Sequence, residues 1–176
     1  DGINISLYFP NDYPDPRSTS PTTSKPYVQI FREYMRLSVE YYRLGGEEGN
    51  MVDFVENHVT YDWRRYKQMM KEVRGHLREG KTVAIQVRGY TSPLATGEYN
   101  LNLSKRRIQC VINQIKLYED VETWYEEGKL KVIEAPFGET QSDPSVSDDR
   151  GDKKRSVYSD KASFERRVEI EKVIVE

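Results

Sequence analysis

Apolar and polar positions alternate in residues 3–9, INISLYF: Ile3, Ile5, Leu7 and Phe9 fall on one side, with Tyr8 and the polar residues on the other. Period-two alternation predicts a half-buried strand. The period then changes. From Tyr27 to Leu44 the residues Tyr27, Ile30, Phe31, Tyr34, Leu37 and Tyr41 recur at helical spacing, and Trp63, Tyr66, Met70, Val73 and Leu77 do so in a second stretch that Gly80 is placed to stop. TVAIQVRGY returns to alternation, with Val83, Ile85 and Val87 as its apolar side. A third helix is expected from about Asn102 to Tyr118 through Ile108, Val111, Ile112 and Ile115. VETWYEEG reads as a short helical turn or loop, KLKVIEAPF as a strand and ERRVEIEKVIV as a closing strand. The order β, α, α, β, α, β, β suggests βαβ units and a mixed sheet with helices on one face. Its last two strands, joined only by a loop, are candidates for antiparallel pairing.

Two stretches carry no such period. Residues 10–26 hold five prolines, which remove amide donors and fix φ, so neither helix nor strand is expected there. Residues 139–163 form a long polar run without a core face, reading as a solvated loop able to fold over a neighbouring site. The glycines, proline and arginines of GYTSPLATGEYNLNLSKRR, 89–107, lie between a strand and a helix, where binding loops commonly sit.

The chain has 176 residues, enough for one domain or one domain with an insertion. Hydrophobic residues make up 36% and charged residues 32%, so the core is modest and the surface highly charged. A net charge of −2 exerts no general pull toward nucleic acid or anionic membrane. One cysteine, Cys110, forbids an internal disulfide, and its place inside a helix reads as a buried thiol rather than a nucleophile. With only His58 and His76 besides, no metal-ligand spacing is present, and no metal or cofactor is expected. No apolar run approaches the ~20 residues that span a bilayer. A chain opening on Asp1 reads as a fragment or processed product, with any targeting or anchoring segment outside it.

Gly89, Thr91, Gly97, Tyr99, Asn100, Leu103, Ser104 and Arg107, with ERRVEI at 165–170, carry a resemblance. GYTSPLATGEYNLNLSKRRIQCV resembles the signature of the OmpA-like peptidoglycan-binding domain: a strand ending Gly-His-Thr-Asp, a small loop, then Tyr-Asn-x-x-Leu-Ser-x-x-Arg at the start of a helix. ERRVEI is similar to that family's Asn-Arg-Arg-Val-Glu-Ile. The two halves lie about 60 residues apart, and the resemblance covers residues 1 to about 12 and about 60 to 176. LYFPNDYPDP, APFGE and SVYS further resemble a Bacteroidota branch that includes a periplasmic component of the type IX secretion system. The resemblance implies an α/β (α+β) fold, the OmpA-like β-α-β-α-β-β sandwich in one domain, with residues 13–59 as a helical insertion after the first strand.

It also implies a ligand, the peptide stem of peptidoglycan, chiefly meso-diaminopimelate, whose free end pairs a carboxylate with an ammonium. An Arg fork suits the carboxylate, and Arg107 stands where the family's ligand-holding Arg stands. A surface salt bridge is the plainer alternative for Arg107. Asn100, placed just before the expected helix, suits either capping or ligand binding. Asn11, Tyr90, Thr91, Leu103 and Arg166 complete the expected ligand-binding set. Three positions depart from the pattern. Ser92 replaces the family's Asp, which takes the ligand's cationic end, and Tyr90 replaces its His. Glu165 replaces the Asn before Arg-Arg-Val. It could restore the lost carboxylate, or it could pair with Arg107 or Arg166.

The expected function is therefore a non-catalytic module that holds the cell wall in the periplasm and anchors an envelope complex, with peptidoglycan and other envelope or type IX secretion proteins as partners and no nucleic acid. The competing reading is an OmpA-like scaffold that has lost its ligand and binds proteins, with the aromatic helix at 27–44 as its docking surface. An enzyme is not expected, since the loop offers no Ser-His or Cys-His pair, metal set or carboxylate pair.

Overall fold

A computed structural model describes residues 2–45, 50–138 and 148–176, with the side chains of 136–138 outside that description. Four strands form one mixed sheet: β1 (Gly2–Tyr8), β2 (Val83–Tyr90), β3 (Leu130–Gly138) and β4 (Arg167–Val175), in the order β1-β4-β2-β3. β4 runs antiparallel to both of its neighbours, and β2 and β3 are parallel. The parallel pair demands a crossover, which helix α4 (Gly97–Lys116) supplies. The last two strands are thus not partners: β4 threads between β1 and β2, which corrects the hairpin-like pairing that chain order suggests.

The two longer helices expected before β2 are present as α1 (Tyr27–Gly45) and α3 (Thr60–Arg78). A short helix α2 (Met51–Phe54) and a π-helical turn (Val55–Val59) run directly into α3. α5 (Val121–Glu126) fills VETWYEEG. Gly80 takes φ +83° just beyond α3, a backbone that favours glycine.

One side of the sheet, through Ile5, Leu7, Val83, Ile85, Val87, Val168 and Ile170, packs on Tyr27, Trp63, Met70, Val73, Val111 and Ile115 from the helices. A second cluster lies off the sheet's edge, where Tyr8 meets Phe54 and Phe164 edge-on at ring distances of 4.9 and 6.0 Å. Tyr8 is therefore buried rather than on a solvated face. Its partner Phe164 ends a short helix in the region read as a loop without a core face. There, α6 (Lys153–Ser156) and α7 (Asp160–Phe164) bury Ser156, Ala162 and Ser163. The polar sequence hid this because small hydroxyl and methyl side chains leave no apolar period to read. The part of that run at 139–147 lies outside the described residues.

Gly89 brings β2 against α4. A Cβ there would stand 2.9 Å from the Ser104 carbonyl oxygen and 3.2 Å from the Ile108 side chain. This close approach fixes where the end of β2 meets the arginines of α4.

Candidate functional site

Helix α4 begins five residues earlier than its apolar period suggests. Thr96 is its N-cap, extended at φ −65° and ψ 153°, and its hydroxyl accepts from the Tyr99 amide at 3.3 Å. Asn100 consequently lies within the first turn and is not the cap. Its side-chain amide donates to the Ala95 carbonyl at 3.2 Å. Arg107 sits about three turns into the helix, away from the free amides of its N-terminus.

Arg106 and Arg107 are both fully buried. Arg107 donates from Nε to the Tyr13 carbonyl at 2.8 Å, from Nη1 to Tyr90 at 3.1 Å and from Nη2 to Pro10 at 3.4 Å, and its guanidinium lies 5.3 Å from the Phe9 ring centre. Arg106 donates to the carbonyls of Pro14 at 2.7 Å and of Ser18 and Ser20 at 3.2 and 2.7 Å. The pair thus gathers the proline-rich loop onto α4. A loop poor in amide donors has carbonyls to spare, and guanidinium groups are matched to them. Arg107 is no surface salt bridge.

The gathered loop forms one wall of an open cavity of about 550 Å³. Among the described residues its lining includes Asn11, Ser92, Asn100, Leu103 and Arg107, so the structure brings together five of the nine expected ligand residues. Arg107 keeps a second N–H on each terminal nitrogen beyond its carbonyl bonds. Burial, followed by the nearby Arg166 and Arg106, pushes its pKa down to about 9, while Asp12 acts in the opposite direction.

The other four expected residues do not line it. Thr91 is buried beside Ser92. The Tyr90 ring turns to the far side, where the Arg167 guanidinium stacks 3.9 Å from its centre, and only its carbonyl reaches Arg107. Arg166 is buried and donates to the Ser156 carbonyl at 3.0 Å. Glu165 follows α7 as its C-cap, with Oε2 3.8 Å from Arg167 Nη1.

Among the described residues the carboxylate that lines the cavity is Asp12, absent from the expected set. Its two oxygens accept from the Tyr99 hydroxyl at 2.5 Å and from the Arg17 amide at 2.7 Å. Its φ of +62° is a conformation Asp tolerates better than most residues. Asp12 follows Asn11 in a loop whose path depends on two buried arginines about 95 positions away, so no local signal marks it. Arg17, on the same loop, also stands on the lining, as do Arg150 and Lys153 from the polar run before β4, the run read from the sequence as able to fold over a neighbouring site.

Among the described residues no group of three or more His, Cys, Asp or Glu side chains is placed to hold a metal, and no helix is long and apolar enough to cross a membrane. The chain matches no protein-family model and no curated protein.

Proposed function

We propose that this chain is a non-catalytic peptidoglycan-binding module of the OmpA-like kind. It recognises the diaminopimelate end of the stem peptide and anchors an envelope assembly, of the type IX secretion class, to the periplasmic wall. The observation that carries this reading is the pairing of opposite charges in one open cavity: buried Arg107 on its floor and Asp12 on its wall. A carboxylate and an ammonium on the same carbon would find both partners there, and Asp12 takes over the role that Ser92 lacks the charge to fill. The β2-loop-α4 arrangement and the insertion of β4 between β1 and β2 are compatible with the OmpA-like topology.

One observation favours the competing reading, a scaffold that binds protein rather than wall. Each nitrogen of Arg107 already donates to a backbone carbonyl, so the residue also serves the fold. Titration calorimetry with a diaminopimelate-containing muropeptide separates the two. The wall reading expects binding, weakened about tenfold or more in Asp12→Asn and lost in Arg107→Ala, with circular dichroism showing that each variant is folded. Failure of the parent to bind at millimolar ligand would end the wall reading in favour of the scaffold.

A further inference from the structure

The cavity carries more positive charge than a single amino-acid end group requires. Arg17, Arg107, Arg150 and Lys153 line it against one described carboxylate, Asp12, although the chain as a whole is slightly acidic at −2. None of the four cations makes a salt bridge among the described residues. Arg107 is buried, whereas Arg17, Arg150 and Lys153 are exposed and form the mouth.

Two separate segments supply that mouth. Arg17 comes from the proline-rich loop, where its amide is held by Asp12 at 2.7 Å. Arg150 and Lys153 come from the segment before β4, and Arg150 is tethered across the cavity rim by its Nε–H to the Leu94 carbonyl at 2.9 Å. Cations converging from independent segments repel one another, and a concave, partly desolvated wall focuses their field. Such a mouth gains most when an anion enters it.

We infer that the cavity takes a ligand with at least two separate anionic groups, one held by Arg107 and a second by Arg17, Arg150 and Lys153. This rests on the wall-binding reading for the identity of the ligand. In a stem peptide the second anion is the free α-carboxylate of the γ-linked D-glutamate beside diaminopimelate. The mouth therefore distinguishes stem peptides with that carboxylate free from those in which it is amidated. Amidation leaves shape and length nearly unchanged and removes one negative charge.

The experiment is calorimetry with L-Ala-γ-D-Glu-meso-diaminopimelate whose chain-terminal carboxylate is amidated, so that D-glutamate carries the one carboxylate besides the amino-acid end, and with the D-glutamate α-amide of that peptide, at low and high sodium chloride. The parent is expected to bind the free acid about five- to tenfold more tightly at low salt, with the gap closing as salt rises. In Arg17→Gln/Arg150→Gln/Lys153→Gln the gap between the two peptides disappears. Equal binding of both peptides by the parent, or an undiminished gap in the triple variant, overturns the inference and leaves wall binding intact. If neither peptide binds, tricarballylate and acetate decide. Salt-sensitive binding of the tricarboxylate alone, lost in the triple variant, keeps the multi-anion site and removes the wall reading, and binding of neither removes both.

Discussion

Arg107 Nε–H points at the carbonyl oxygen of Tyr13, 2.8 Å away, across a sequence gap of 94 residues. With Arg106 doing the same to Pro14 one residue on, the helix that floors the cavity also holds the loop that walls it. Both arginines thus serve the fold while Arg107 alone of the two lines the cavity, so the proposed recognition can be separated from folding by choosing which arginine to change.

Arg106 does not line the cavity, so its loss tests the fold. Arg106→Met strands the carbonyls of Pro14, Ser18 and Ser20 and is expected to cost about 3 kcal/mol in denaturant unfolding, with new proteolytic cleavage in residues 10–26. Lys25→Ala removes the half-exposed ion pair with Asp15 in the same loop and should cost under about 1 kcal/mol. Equal effects of the two would show that Arg106 does not organise the loop.

Gly89→Ala places a methyl 2.9 Å from a backbone oxygen of α4, where no flexible side chain can retreat. The expected loss is about 1–3 kcal/mol, measured by urea unfolding. Muropeptide binding should weaken as well, because the end of β2 and the Arg107 turn of α4 move apart together. An unchanged unfolding midpoint would mean that the two elements tolerate a wider spacing.

The tyrosines set the alkaline limit. Burial raises the Tyr8 phenol to about 12 and holds Tyr27, Tyr34 and Tyr66 well above the ordinary 10.0. Between those values the unfolded chain releases protons that the native chain keeps, so the native state binds more protons and stability falls as pH rises. Below about pH 10 the contribution is fully present. Urea midpoints should therefore decline above that pH, with phenolate absorbance appearing together with unfolding. Phenolate formation from these residues in a still-folded protein would contradict their burial.

Cys110 is fully buried among Ile108, Val111 and Ile112 on α4, and burial pushes its thiol up. A thiol reagent should leave the native protein unlabelled and react once urea unfolds it. Rapid labelling without denaturant would mean that α4 opens locally and would place the cavity floor in motion too.

Apolar periodicity by itself marked the four strands, the helix after β2 and the two long helices that the structure bounds at 27–45 and 60–78, and a place inside a helix marked the buried thiol. Each is a local matter of which residues share a face every two or every 3.6 positions. Arg107 was legible as a candidate because a short motif surrounds it, and it lines the cavity. Only the tertiary structure decided the rest. β4 threads between β1 and β2 because strand order depends on which edges are open, and chain order does not encode that. Helix α4 starts at Gly97 because the hydroxyl of Thr96 caps it, although apolar periodicity begins later. Tyr8 is buried because Phe54 and Phe164 come to it from distant segments. The carboxylate of the cavity is Asp12 rather than Glu165 because two buried guanidinium groups draw a donor-poor loop across the floor, an attraction between groups far apart in sequence that no local pattern records.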